Sequence, residues 1–253
     1  MDLQNKTIII TGASSGIGAA AARLFAAEGA NVVLGARRAI ELVGIADEIN
    51  ASGAGRAVSL AGDVSDRHFA AALVELAQDK FGGLDGAFNN AGIVGDMTTV
   101  ADMKLDNWNT VLSVNLTSAF LAAQAQIPAL LRRGGGSIVF TSSFVGFSNG
   151  GMPGMGAYAA SKAGLIGLVQ SLASEHAAQG VRVNALLPGG TVTPAGGEGD
   201  QGTMDLIAGL HPIRRMASPT EIAEAALFML SDRASFMTGS PMVVDGGMSV
   251  RLV

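Results

Sequence analysis

The 253-residue chain has no cysteine, one tryptophan, one tyrosine and three histidines. Without cysteine there are no disulfides and no thiolate metal centres. His68, His176 and His211 are too scattered for metal-ligand spacing, so no metal is expected and surface or packing roles suit them better. Charge is scarce as well. Asp, Glu, Lys and Arg make up 15% of the residues, against about 25% in an ordinary soluble domain, which suggests that other subunits cover part of the surface. The 16 basic and 21 acidic residues leave a net charge of −5, which argues against nucleic acid or an anionic membrane as partner. No basic segment followed by an apolar core opens the chain, so no signal peptide is expected and the cytoplasm is the expected compartment. Residues 108–131 carry no charge, but Asn109, Asn115, Gln124, Gln126 and Pro128 make them a poor membrane span. There is no repeat, low-complexity tract or linker, so residues 1–253 are read as a single domain.

What the chain does have is a regular alternation. The run KTIII (6–10) reads as a buried strand and passes directly into TGASSGIG and a helix from Ile17 to Glu28. A strand, a glycine turn and a helix N-terminus make an anion-binding corner, where free N–H groups and the helix dipole face a pyrophosphate. Gly12 permits the turn, and Gly16 and Gly18 allow close backbone approach, although the spacing G-x-x-x-G-x-G is not the common dinucleotide fingerprint. A second strand, NVVLG, ends at Ala36-Arg37-Arg38, where dinucleotide folds often carry an acid for the ribose hydroxyls. A helix over 39–51 and a strand over 56–61 lead to Asp63 and Val64, a candidate cap on an adenine; Asp63 as a helix N-cap or turn residue is nearly as good a reading.

Further on, LDGAFNNAG (84–92) reads as a strand ending in a turn on Asn89, Asn90 and Gly92, beside any bound cofactor. One long helix is expected over 106–133, apolar on more than one face, with Asn115 in its middle and in need of a partner. The remaining pattern predicts a strand from Ser137, a helix running from Tyr158 to Gln179, a sixth strand VRVNALL, a helix over 220–230 and a last strand SPMVVDGG. Residues 190–213 are expected to be a loose, mobile substrate lid. Strands alternating with helices of this length specify parallel pairing through right-handed crossovers.

The chemistry concentrates between Ser137 and Ile166. Tyr158 and Lys162 are four residues apart on one helix face. A phenol with a pKa of about 10 trades protons poorly at neutral pH. A fixed ammonium nearby is expected to favour the phenolate by roughly 1 to 3 units and make Tyr158 a usable acid/base. Ser142 or Ser143, at the end of the preceding strand, supplies a hydroxyl to the same point.

TGASSGIG, Asp63-Val64, NNAG at 89–92, Asn115 in SVNLTSAF, Ser142-Ser143, YAASK at 158–162, PG at 188–189 and DGG at 245–247 together resemble the short-chain dehydrogenase/reductase family over nearly the whole chain. The resemblance implies an α/β fold, a Rossmann-type doubly wound parallel sheet of seven strands in order 3-2-1-4-5-6-7. It implies hydride transfer between a nicotinamide ring and a carbonyl or secondary alcohol carbon. It assigns catalysis to Asn115, Ser143, Tyr158 and Lys162. In that scheme Tyr158 trades the proton and Ser143 holds the substrate oxygen, while Lys162 grips the nicotinamide ribose and Asn115 positions a relay water. Cofactor contacts carry over to Gly12, Ser14, Ser15, Gly16, Ile17, Gly18, Arg37, Asp63, Val64, Asn89, Ala91, Gly92, Tyr158, Lys162, Pro188, Gly189, Thr191 and Thr193. Ser143 lies slightly further from Tyr158 than is usual, which leaves Ser142 open. A homotetramer is the expected assembly, in line with the apolar long helices.

The expected substrate is a small neutral ketone or secondary alcohol, in a pocket formed by 93–97, 144–157 and 190–210. The last two segments contain no Lys or Arg and several Met. A 3-oxoacyl-(acyl-carrier-protein) reductase is the alternative, with Arg132 and Arg133 as a basic site for the carrier but Gln179 where a second basic group is expected. A non-catalytic dinucleotide-binding sensor comes last, because the Asn-Ser-Tyr-Lys set is intact. NADP(H) is expected to be preferred to NAD(H), because Ala36 repels no 2′-phosphate and Arg37, helped by Arg38, suits one.

Overall fold

The computed structural model describes residues 1–53, 55–148 and 151–251. Strand β1 (Thr7–Thr11), helix α1 (Gly16–Ala27), β2 (Asn31–Ala36), α2 (Ala39–Ser52) and β3 (Arg56–Ala61) form the first half, with α3 (Arg67–Phe81) crossing to β4 (Gly86–Asn89). The second half runs α4 (Leu105–Leu112), α5 (Ser118–Arg133), β5 (Gly136–Thr141), α6 (Gly156–His176), β6 (Val181–Pro188), α7 (Gln201–Leu210), α8 (Pro219–Leu230) and β7 (Pro241–Val244). All seven strands join one sheet in the order β3-β2-β1-β4-β5-β6-β7, and each neighbouring pair is parallel. The expected doubly wound order is borne out.

Strand composition explains the layers. Every residue of β1 is buried, but successive side chains enter different cores. Ile8 and Ile10 join Val32, Leu34, Phe88 and Leu186 under α1, α2 and α8. Ile9 joins Val33, Ala87, Ile138, Phe140 and Leu187 under α3, α5 and α6. A strand buried on both faces has to be apolar throughout, so these runs are continuous instead of alternating. Each fully buried Ile or Leu contributes roughly 1.5–3 kcal/mol of transfer free energy. Because the strands are parallel, all their C-terminal ends open on one edge, and the strand order reverses beside β1.

Two expectations need correcting. The helix expected over 106–133 is interrupted by a single π-helical turn, Ser113–Thr117. Such bulges leave an unpaired step in the ladder and no trace in hydrophobic periodicity. The stretch Leu105–Arg133 is long and apolar enough to cross a bilayer, yet half of its most apolar window is buried in the fold. The second correction concerns the segment read as loose. It carries a 3₁₀ turn, Pro194–Gly196, and the ten-residue α7. The Asp200 side chain caps α7 by accepting from Gly202 N at 3.2 Å, and the glycines at 202 and 209 hide the helical pattern from sequence.

Candidate active site

A cleft of about 1330 Å³ runs along the C-terminal edge of the sheet. At one end lies the glycine turn. Gly12 has φ +66°, which favours glycine, and Gly12, Ser14, Ser15, Gly16 and Ile17 all line the cleft. Gly18 does not. A methyl group there would sit 2.2 Å from Gly12 O, so Gly18 lets α1 press against the turn from below. Thr11 Oγ1 accepts from Asn90 N at 3.1 Å and Ala91 N at 3.2 Å, joining the ends of β1 and β4.

Asn89 also departs from expectation. Its amide exchanges reciprocal hydrogen bonds with Gln126 of α5, at 2.9 and 3.0 Å, beneath the sheet. Period-2 alternation continued from Ala87, which faces the same core, places it there. Asn90, its neighbour, lines the cleft instead, with Thr141 Oγ1 donating to its Oδ1 at 3.3 Å; Ala91 and Gly92 follow it into the wall.

The end of β2 brings two arginines to the glycine turn. Arg38 donates from Nε and Nη2 to Ser14 Oγ at 3.2 and 3.0 Å, and its Nη1 lies 3.6 Å from Glu41. Arg37 lines the cleft and makes no hydrogen bond or ion pair among the described residues. Asp63 accepts from Ser65 N and Oγ at 2.9 and 2.7 Å. Those two bonds, and then the nearby Arg37 charge, hold its carboxyl below the usual range. Asp63 is thus a turn residue that also lines the cleft beside Val64; the N-cap of α3 is Asp66, which accepts from His68 N.

The reactive groups meet at the middle. Gly156–His176 starts just before Tyr158, so Tyr158 and Lys162 occupy the first turns of α6 and face the end of β5. Lys162 is 2% exposed, and its Nζ donates to Thr141 O at 2.7 Å. The two neighbouring serines separate in role. Ser142 Oγ donates to Lys162 O at 2.7 Å, whereas Ser143 Oγ accepts from Val145 N at 3.3 Å and interacts with the Tyr158 hydroxyl. Asn115, inside the π turn, accepts from Ile93 N at 2.8 Å and donates to Ile93 O at 2.8 Å and Ser161 Oγ at 2.9 Å. It is a fully partnered buried amide that ties three elements together. A methyl on Gly92 would lie 3.2 Å from both Asn115 Oδ1 and Lys162 Nζ, so glycine keeps open the gap between them.

The electrostatics differ from the expected coupling. Burial raises the Tyr158 pKa above that of a free phenol, and the hydrogen bond to Ser143 works against that rise. Burial lowers Lys162 to about 8. The ammonium lies 5.5 Å from the Tyr158 ring centroid and donates to Thr141 O, and burial is the largest influence on both groups.

Pro188, Gly189, Gly190, Thr191 and Thr193 form the far wall. Thr193 Oγ1 accepts from Gly196 N at 3.1 Å, and its methyl would be 2.9 Å from a Cβ on Gly16, so the two loops meet over the cleft. Ile93, Met97, Phe144, Met152, Met155 and Ile207 make the central wall largely apolar. Of the segment 144–157, Asn149 and Gly150 lie outside the described residues. Met248, Ser249 and Arg251 also reach the cleft, and Arg251 Nη1 donates to Gly209 O at 2.6 Å. No motif marks them, and only the return of the chain after β7 brings them there. Arg132 and Arg133 sit elsewhere. They close α5 at the opposite edge of the sheet, where Arg133 Nε donates to Asp85 Oδ1 at 2.9 Å, so within one subunit they do not flank the cleft mouth. Among the described residues no cluster of His, Asp or Glu could hold a metal ion.

A nicotinamide dinucleotide fits this arrangement. The glycine turn would receive its pyrophosphate, and the cleft exceeds the roughly 300–1,000 Å³ of an ordinary small-molecule pocket. The sequence profile of a family described as enoyl-(acyl carrier protein) reductase matches residues 12–249. The chain is 40% identical over 242 residues to a cyclohexanol dehydrogenase of Acinetobacter sp. strain SE19, covering 96% of this chain and 94% of that one. To a 3-oxoacyl-(acyl-carrier-protein) reductase of Thermotoga maritima it is 38% identical over 250 residues, 99% of this chain and 100% of the other. The crystal structure of L-sorbose reductase from Gluconobacter frateurii, complexed with NADPH and L-sorbose, superposes with a TM-score of 0.92 at 33% identity, covering 100% of both chains.

Proposed function

Because this chain belongs to the short-chain dehydrogenase/reductase family and is an NAD(P)-dependent oxidoreductase of the CH–OH class, we propose that it interconverts a small neutral, alicyclic ketone and its secondary alcohol, with Tyr158 as the acid/base. The observation that carries the reading is the convergence of Ser143, Tyr158 and Lys162 on one point of a cleft with a Met-rich apolar wall. Likeness to a cyclohexanol dehydrogenase supports the alicyclic substrate. NADP(H) is the preferred cofactor, because Arg37 lines the cleft with no hydrogen bond or ion pair among the described residues and Arg38 is held over the glycine turn by Ser14.

A bound nicotinamide would supply or accept the hydride at the substrate carbon. In reduction Tyr158 gives its hydroxyl proton to the carbonyl oxygen, and in oxidation it takes that proton back. Ser143 donates its one hydroxyl proton to the same oxygen when substrate is bound; without substrate it interacts with the Tyr158 hydroxyl and works against the rise in its pKa. Lys162, at about 8, is still mostly charged at neutral pH and binds the ribose hydroxyls. Asn115 fixes the Ile93 peptide and the start of α6 against each other. The glycine turn of Gly12, Ser14, Ser15, Gly16 and Ile17 takes the pyrophosphate and Asp63 and Val64 the adenine, and Ala91, Gly92, Pro188, Gly189, Thr191 and Thr193 face the rest of the dinucleotide.

The chain acts as a single catalytic unit with a movable lid at about 190–213, in a cytoplasmic homotetramer. The exposed Phe120 on α5 and Phe147 suit burial between subunits. Reduction of an acyl-carrier-bound 3-ketone is the second reading, supported by likeness to the Thermotoga maritima enzyme. It is the weaker one, because Arg132 and Arg133 lie away from the mouth. The test is turnover of cyclohexanone, acyclic ketones and a 3-oxoacyl thioester with each reduced cofactor, followed by loss of nicotinamide absorbance. Cyclic ketones reduced fastest with NADPH is the expected result, and turnover of the thioester alone would overturn it.

A further inference from the structure

His211 is 2% exposed, and both of its ring nitrogens are engaged. Nδ1 lies 2.8 Å from Ile207 O, and Gly190 N–H donates to Nε2 at 3.0 Å. A carbonyl only accepts and an amide only donates, so the ring is the neutral Nδ1–H tautomer. Its two partners belong to different walls of the cleft. Ile207 is on α7, and Gly190 follows β6 in the loop that carries Gly189, Thr191 and Thr193. That loop is otherwise held on its outer side. Gly189 N donates to Val244 O at 3.0 Å and Gly190 O accepts from Ala217 N at 2.9 Å. The Gly190 N–H has only the imidazole among the described residues. Nothing separates the two walls here, since a methyl on Gly190 would lie 2.3 Å from Ile207 Cγ2 and 2.7 Å from His211 Cε1.

We infer that His211 is a positioning residue that locks the lid helix α7 to the loop 188–193, so that the substrate wall and the nicotinamide wall move as one body. The inference rests on the proposed reading that this loop faces the nicotinamide end of the cofactor. A rigid ring with a donor at one side and an acceptor at the other is the feature used. Glutamine reproduces the acceptor at the Nε2 position and loses the donor toward Ile207 O. Asparagine reproduces the donor and does not reach Gly190.

The experiment compares wild type, His211→Gln and His211→Asn for binding of NADP(H) and of 2′-phospho-ADP-ribose, which lacks the nicotinamide. Losing the partner of one buried N–H should weaken NADP(H) binding about tenfold in His211→Asn, with the fragment held within about twofold. His211→Gln should keep both affinities within about threefold of wild type and raise the ketone KM instead, because α7 is released while the loop is held. Equal behaviour of the two variants, or parallel loss of fragment and cofactor, would reduce His211 to packing and overturn the inference. Wild type that binds the fragment but gains nothing from the nicotinamide would sink the functional reading, and the inference with it. Hydrogen exchange on wild type covers the case in which neither variant folds. Segments 188–193 and 201–210 should gain protection together on NADP(H) addition, and protection of one alone would also overturn the coupling.

Discussion

The two loops that face each other across the cleft, 11–18 after β1 and 188–197 after β6, follow buried strands at the same sheet edge but are held in different ways. The first is fixed by close packing within its own turn. Gly18 packs against Gly12 O with no room for a methyl, and Thr11 Oγ1 gathers two N–H groups from the next strand. The second shares backbone bonds with Val244 and Ala217, but two of its N–H groups rest on side chains, Gly190 N on His211 and Gly196 N on Thr193. Backbone packed without space cannot yield without refolding the turn, whereas a loop held in part by side chains can shift where one of them lets go. The cofactor's phosphates need a fixed anion site, and a substrate needs an entrance that opens. The comparison therefore assigns rigidity to one side of the reaction and adjustability to the other.

Tyr158 lies between the loops and supports neither. Tyr158→Phe should lower kcat by about 10²–10⁴-fold while cofactor affinity, read by fluorescence titration, stays near wild type. Near-normal turnover would remove Tyr158 from the chemistry. Lys162 tests how tightly the centre is packed. Its folded pKa, about 8, lies below the unfolded value of 10.5, so from about pH 8 to 10 the unfolded chain binds more protons and stability rises with pH. The full shift corresponds to on the order of 3 kcal/mol. Tyr158, raised by burial, opposes the trend only above about pH 10. Denaturant melts of the cofactor-free protein should show this slope, and Lys162→Met should flatten it; an unchanged slope would refute the burial argument.

Beside the rigid loop, at the end of β2, the double variant Ala36→Asp, Arg37→Ile should shift the kcat/KM ratio toward NAD(H) by about 10 to 150-fold, the worth of a charge-assisted contact. The ketone KM should hardly change, and a ratio that stays put would show that Arg37 does not read the phosphate. Gly18→Ala and Gly190→Ala probe the contrast directly. The first drives a methyl onto backbone and should cost about 10 to 100-fold in cofactor affinity, with a lower Tm. At Gly190 the nearest atom is a side-chain methyl of Ile207, so α7 can give way and the cofactor loss should be about threefold. Equal penalties would erase the distinction between the loops.

Much of the fold was open to reading because its signals are local. Fully apolar strands, glycine turns and helices of ten residues or more specify parallel pairing, and the family resemblance supplies the seven-strand order that the sheet has. The departures have physical reasons. Asn89 and Asn90 are adjacent in sequence, and only the pleat of β4 sends one to Gln126 and the other to the cleft. The π turn around Asn115 leaves hydrophobic periodicity unchanged. The expected Lys162 effect on Tyr158 relied on helical spacing alone, and that spacing does not reveal that Thr141 O takes the ammonium while burial governs both groups.

Sequence alone determined the parallel pairing of the strands, the glycine turn at the end of β1, and the identities of Tyr158 and Lys162, because strand burial, turn chemistry and helical spacing act over a few residues. Tertiary structure alone decided which of Ser142 and Ser143 faces the phenol, which arginines reach the cleft, and that His211 joins α7 to Gly190 across 21 residues of chain. Those outcomes depend on where separate elements come to rest against one another, and the directions of side chains at such contacts are set by packing and by the pairing of buried polar groups.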